Sequence, residues 1–248
     1  MIPYERQETI LQILSKQELL KIDELQKLIP DVSISTLRRD LKELEKSNKI
    51  EYLFGGAVKL SENNGEVSMR KKVDLNREKK DVIARIAASQ IHDGETVYID
   101  SGSTCSLLLR EIVSKKITIY TTSTSVFNIS QEISAQIILT GGSYNPLISS
   151  LSGPLTEECL QMLYFDKSFI GVNGIDIEKG VTTPNISEAT KKKLIKSHSR
   201  ATYLMCDSTK FHKFSNIKAF DLKDVYVVSD KFDKSINTVS DIITDRKK

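Results

Sequence analysis

Three narrow apolar stripes at helical spacing open the chain. Ile10, Ile13 and Leu14 form the first, Ile22, Leu25, Leu28 and Ile29 the second, and Leu37, Leu41 and Leu44 the third. None is wide enough to bury itself, so the pattern predicts three short helices sharing one small core. Pro30 cannot continue a helix and Asp31 favours a turn, which separates the second helix from the third. Ser33 then stands where an N-cap belongs. After Lys49, short β-prone runs surround Gly55-Gly56, a pattern that suits a small hairpin or a plain connector equally.

Residues 59–75 are polar, with Ser61-Glu62-Asn63-Asn64-Gly65-Glu66 and then the basic Arg70-Lys71-Lys72, and read as a linker. From Arg77 a helical stripe begins at Val82, Ile83, Ile86, Ala87 and Ile91. Strand patterns follow at Thr96–Ile99, Ile117–Tyr120, Gln136–Leu139, Ser168–Val172, Thr202–Met205 and Val225–Val228. Between them lie helical patterns at Cys105–Val113, Ser125–Ile133 and Glu188–His198. This alternation predicts a mostly parallel sheet covered by helices. The expected organisation is an α+β winged helix-turn-helix domain over 1–58, a linker over 59–75 and an α/β domain over 76–248.

A chain of 248 residues with 39% apolar residues is long enough for two cores and too polar for a membrane protein. It has no apolar run of about 18 residues, and its polar start lacks the core of a secretory signal. A cytoplasmic location is expected. Cys105, Cys159 and Cys206 form no CxxC pair, and His92, His198 and His212 are scattered, so neither a disulfide framework nor a metal site is expected. No cofactor is implied.

Net charge is +3, yet residues 1–57 hold nine bases against ten acids. A DNA argument therefore rests on where charges sit. At about 100° per residue, Leu37 and Leu44 fall near Leu41 on the buried face of the third helix. Arg39, Ser35, Lys42 and Lys46 fall opposite, with Thr36 and Glu43 beside them and Arg38 at the border. A helix capped at Ser33 with this polar face has the make-up of a recognition helix for the major groove. An ordinary solvated face is the plainer alternative.

Ligand sites in open α/β sheets lie at the carboxyl ends of strands. Asp100-Ser101-Gly102-Ser103-Thr104 follows the first strand and runs straight into a helix, which suits an anion site of hydroxyls and helix N–H groups. It also suits a loop with good capping residues. Gly141-Gly142, Asn173-Gly174 and Asp207-Ser208-Thr209-Lys210 end other strands. Together with Glu188 and Lys191 they would provide a Lys for charge and carboxylates for hydroxyls, as a sugar phosphate needs. Glu188 and Lys191 are read equally well as an exposed i, i+3 pair.

Val32-Ser33-Ile34-Ser35-Thr36-Leu37-Arg38-Arg39-Asp40-Leu41-Lys42-Glu43-Leu44-Glu45, followed by Gly55-Gly56-Ala57, resembles the DNA-binding signature of the DeoR-type bacterial regulators. Tyr52 and Phe54 stand where that pattern has a basic residue and a His. Further matches lie at Asp93–Thr104, Leu139–Gly142, Phe165–Gly171, Gly174–Asp176, Gly180–Thr183 and Asp207–Phe211, so the resemblance reaches almost to Asp230. It implies a sensor domain like ribose-phosphate isomerases and CoA-transferases, with a phosphosugar pocket around Asp100–Thr104 and Asp207 and Lys210 as ligand residues. Lys79 or Lys80 matches a family position tied to effector response. The resemblance implies a repressor that binds double-stranded operator DNA as a dimer or tetramer. A phosphorylated sugar would relieve it. Two alternatives stand beside it: a sugar-phosphate isomerase with an accessory DNA-binding domain, and a DNA-binding scaffold without a ligand.

Overall fold

The computed structural model describes residues 2–14, 17, 19–46, 49–53, 55–60 and 69–245, which fall into two units dividing between Val67 and Ser68. Phe54 and the polar stretch 61–68 lie outside the described residues.

In the first unit, α1 (Pro3–Leu14), α2 (Ile22–Leu28) and α3 (Ile34–Lys46) surround a core of Ile10, Leu14, Leu25, Ile29, Leu37, Leu41 and Leu44. Leu28 departs from the expected stripe and is 51% exposed, because its helix ends there and Ile29 turns inward instead. The hairpin, left open from sequence, is present. β2 (Ile50–Leu53) pairs antiparallel with β3 (Ala57–Leu60) across Gly55 and Gly56, both at positive φ, where glycine has no steric cost. A third short strand that the sequence did not signal, β1 (Leu20–Lys21), adds to the other side of β3.

Of the stretch expected as linker, residues 59–60 belong to β3 and Met69–Asp74 forms a helix, α4. The second unit continues with α5 (Arg77–Ser89), β4 (Thr96–Ile99), α6 (Ser103–Ile112), β5 (Thr118–Thr121), β6 (Gln136–Leu139), the hairpin β7 (Ser143–Asn145) and β8 (Ser150–Ser152), and α7 (Pro154–Gln161). Then come β9 (Phe165–Gly171), β10 (Gly174–Asp176), β11 (Gly180–Thr183), α8 (Ile186–Ser197), β12 (Ser199–Met205), β13 (Ile217–Phe220), β14 (Tyr226–Val228) and β15 (Asp241–Ile243).

Seven strands form the main sheet in the order β15-β14-β12-β9-β4-β5-β6, and every pairing is parallel. Alternation along the strands feeds two cores. Val97, Ile99, Phe169, Tyr203 and Met205 face α5 and α6. Tyr98, Ile170, Leu204 and Cys206 face the α7 and α8 side. Side chains of successive strand residues point to opposite faces, so a sheet buried on both sides reads as an unbroken apolar run.

Register matters more for function than the strand count. Ile99 is level with both Thr121 and Phe169, and Met205 is level with Gly171 and Val228. The chain leaves β4, β5 and β12 at one edge of the sheet, carrying Asp100, Thr122 and Asp207 there together.

One expected helix is missing. Ser125–Ile133 is no α-helix: a 3-10 turn covers Thr124–Asn128 and the rest is irregular. Only Val126 and Ile129 pack against the core, while Phe127 is 76% and Ile133 46% exposed. The N–H groups of Ser134 and Ala135 both donate to the Val113 carbonyl, which draws the chain away. The polar tail contributes β15, and β10, β11 and β13 form a separate antiparallel sheet against α8.

Candidate functional site

The DNA-reading candidate is α3. Ser33 Oγ accepts from the Thr36 N–H at 3.2 Å and lies 2.9 Å from both the Ser35 and Thr36 hydroxyls, so the cap expected from sequence forms. Ser33, Ser35, Arg38, Arg39 and Lys42 are exposed, Thr36 is half-buried, and Leu37, Leu41 and Leu44 are buried beneath them. Asp40 was not foreseen in any role. Its carboxylate is buried and takes both Nε and Nη2 of Arg6 from α1. Gln7 adds a second link to α3 by donating to Glu43 at 2.8 Å. A bidentate pair of this kind fixes the angle as well as the distance between two helices.

The strand-end candidate has two charged clusters. The first is built on Asp100, just past β4 and wholly buried. Its Oδ1 accepts from the Ser101 N–H at 2.9 Å, and its Oδ2 takes the ammonium of Lys192 from α8. Lys191, one residue earlier, lies 2.7 Å from Glu188 Oε1, 2.8 Å from Ser150 Oγ and 3.2 Å from Thr122 Oγ1. Thr122 in turn meets the Tyr98 hydroxyl at 2.9 Å. Glu188 and Lys191 are therefore not the exposed pair that one reading of the sequence allowed. Asn185 caps α8 on the Glu188 N–H, which turns this face of the helix into the sheet edge.

Burial works against ionisation of Glu188, but Lys191 and Lys192 outweigh it and hold its pKa below the ordinary value. Burial likewise works against the Lys192 ammonium, and Asp100 and Glu188 more than reverse this, so its pKa is raised. The two lysines and two carboxylates neutralise one another. Ser101, Ser103 and Thr104 are buried beside them, and Gly102 opens α6 at φ +128°, its Cα facing open space. The first-turn N–H groups of α6 have no acceptor within their own helix, so this loop abuts a donor-rich end. Gly171, closing β9, lets the Ser101 backbone approach: a Cβ there would lie 3.1 Å from the Ser101 carbonyl.

The second cluster is at Asp207. Its Oδ1 accepts from the Thr209 N–H at 3.1 Å, while its buried Oδ2 has no hydrogen-bond partner among the described residues and lies 3.5 Å from Lys210 Nζ. Burial opposes its charge, but Lys210 and Thr209 hold its pKa below the ordinary value. Lys80, on α5, is buried and donates to the Lys72 carbonyl. Burial, with Lys210 adding to it, pushes the Lys80 ammonium down to about 8. The clusters are neighbours: burial raises the Cys105 thiol to about 12, and that thiol feels Asp100, Lys192 and Lys210 alike.

Gly141 and Gly142 end β6 on the α7 side. Thr156 donates to the Gly141 carbonyl at 2.6 Å, and a Cβ on Gly142 would collide with Thr156. Their contacts are with Thr156 and Ser152 rather than with the charged groups. Sequence reading overlooked Lys192, Thr122, Ser150 and Tyr98. Lys191-Lys192-Lys193 looks like a solvated run, yet only Lys193 faces water. Among the described residues no group of three or more His, Cys, Asp and Glu has the arrangement of a metal site. No described helix is long and apolar enough to cross a membrane.

Residues 6–63 match the DeoR-like helix-turn-helix domain, and residues 75–231 match the DeoR C terminal sensor domain. The chain belongs to the DeoR family of transcriptional regulators. It is 29% identical over 240 residues to the HTH-type transcriptional regulator GolR of Listeria innocua, covering 95% of this chain and 94% of that one. It is 31% identical over 234 residues to the lactose phosphotransferase system repressor of Staphylococcus epidermidis, covering 92% of each. A solved structure of ribose 5-phosphate isomerase a from Methanocaldococcus jannaschii overlaps 55% of each chain at 15% identity with a TM-score of 0.41. In this DeoR-family regulator the helix-turn-helix match contains most of α1 and all of α2 and α3, and the sensor match contains both charged clusters.

Proposed function

We propose that this DeoR-family protein represses a carbohydrate-utilisation operon and releases its operator when a phosphorylated sugar binds at the sheet edge. It works in the cytoplasm as a dimer or tetramer, so that repeated half-sites meet repeated recognition helices. Ser35, Thr36, Arg38, Arg39 and Lys42 face the duplex from α3, with Ser33 as cap. Lys80, Lys210 and the α6 N-terminus meet the phosphate. Asp207, Asp100, Glu188 and Lys191 line the sugar, and Ser101, Gly102, Ser103 and Thr104 shape the loop between them. Gly141 and Gly142 support the edge next to it.

The observation that carries this reading is Asp207. A buried carboxylate oxygen without a hydrogen-bond donor, set beside Lys210 and Lys80, wants a hydroxyl from outside the chain. The named role of the Staphylococcus epidermidis relative, a repressor of the lactose phosphotransferase system, supports the sugar-operon assignment. An isomerase is disfavoured on chemical grounds. Glu188 lies on the Lys191 ammonium and is held below its ordinary pKa, which makes it a poor general base at neutral pH, and Asp100 is taken up by Lys192.

The test is a gel shift of the full chain on DNA upstream of its own gene, repeated with a panel of sugar phosphates, alongside an assay for their turnover. Retarded DNA that one sugar phosphate sets free, with no conversion of that sugar, is the expected result. Turnover, or a complex that no sugar phosphate disturbs, overturns the reading.

A further inference from the structure

Two hydrogen bonds join the Asp207–Lys210 turn to the elbow between α4 and α5 and to the first turn of α5. Asn76, in the elbow, donates from Nδ2 to Thr209 Oγ1 at 3.3 Å. Lys79 donates to Ser208 Oγ at 3.0 Å and lies 3.7 Å from Asp230 Oδ2. Asp230 holds Ser208 through its N–H at 2.6 Å and its hydroxyl at 2.9 Å. Lys80, beside Asp207 and Lys210, donates to the Lys72 carbonyl of α4.

Thr209 is the shared atom of the arrangement. Its hydroxyl donates to Asp207 Oδ1, the carboxylate proposed above to meet the ligand, while receiving the Asn76 amide. A ligand that takes Asp207 must therefore disturb or retain that hydroxyl, and Asn76 registers the difference. Asn76 sits in the left-handed region at φ 56°, a conformation Asn tolerates and most residues do not. The elbow is thus fixed both by its backbone and by its amide. α4 begins at Met69, directly after the division between the two units.

We infer that Asn76 is a positioning residue for induction: it couples occupancy of the Asp207–Lys210 turn to α4 without touching the ligand. The inference rests on the phosphosugar reading. An effector shifts the equilibrium only by its differential affinity for the two arrangements, and the Asn76–Thr209 contact is where these arrangements differ.

Asn76→Gly is a suitable probe, because glycine adopts the left-handed backbone without strain and removes the side-chain amide. The full chain is titrated with ribose 5-phosphate, fructose 6-phosphate, glucose 6-phosphate and inorganic phosphate, first by calorimetry and then on its operator complex. Hydrogen exchange across α4 is read with and without the ligand that binds. The inference expects a ligand Kd within about twofold of wild type, a roughly tenfold higher ligand concentration for operator release, and loss of the ligand-dependent change at α4. Lys79→Met, which leaves the elbow backbone alone, should give the same split. Unchanged release and unchanged α4 exchange in both variants overturn the inference while the phosphosugar reading stands. Failure of every probe to bind the wild-type chain overturns both.

Discussion

Lys191 Nζ lies 2.7 Å from Glu188 Oε1 one turn away on α8, and both side chains are at least nine-tenths buried. These two groups pair with Asp100 and Lys192, two carboxylates against two ammonium groups. Removing one partner leaves an uncompensated buried charge, which costs about 3–5 kcal/mol, whereas replacing a pair with apolar groups of similar size is often neutral. Glu188→Ala should therefore be strongly destabilising, and Glu188→Gln/Lys191→Met should recover most of the loss. Urea denaturation of the three proteins checks this, and equal stability of the single and double variants would count against the pairing.

Lys80 makes stability depend on pH in a known direction. Its folded pKa, about 8, lies below the ordinary 10.5. The unfolded chain therefore binds more protons between those values, and stability rises with pH through that window. Below about pH 8 the cost of burying the charge is fully present. Stability of the wild type minus that of Lys80→Met should increase from pH 8 toward 10, by urea denaturation at each pH. A flat difference would show that Lys80 is not desolvated.

On α3 the two arginines and the aspartate between them and Leu41 should separate cleanly. Arg38→Ala and Arg39→Ala remove exposed side chains, so stability should change by no more than about 0.5 kcal/mol. Operator affinity should fall by about 1–3 kcal/mol where a base contact is lost, or the salt dependence should lessen by about one ion where a phosphate contact is lost. Asp40→Ala should do the reverse, costing about 3–5 kcal/mol of stability by stranding Arg6. Thermal melts and anisotropy titrations at two salt concentrations distinguish these outcomes.

Sequence periodicity served best where one local rule decided the structure. Ser33 caps α3, and the strands Thr96–Ile99 and Gln136–Leu139 have the ends that the pattern predicted. It served worst where partners are distant. Lys192 meets a carboxylate 92 positions away, and nothing in Lys191-Lys192-Lys193 distinguishes the two lysines that are buried from the one that is not. The Arg6–Asp40 pair spans 34 positions and was equally silent. β15 has three residues in a polar tail, too few to show alternation, and is made a strand by β14 beside it. Ser125–Ile133 had helical spacing but only Val126 and Ile129 find the core while Phe127 and Ile133 stay exposed, which periodicity cannot sense.

One chain must both grip DNA through α3 and answer a phosphosugar at Asp207 and Lys210. Anisotropy of a labelled operator, titrated with the effective sugar phosphate, tests both at once in wild type, Arg39→Ala and Lys210→Ala. Wild type should bind and be released, Arg39→Ala should bind more weakly by about 1–3 kcal/mol, and Lys210→Ala should bind and stay bound. Tight operator binding by Arg39→Ala, or undiminished release of Lys210→Ala, would contradict it.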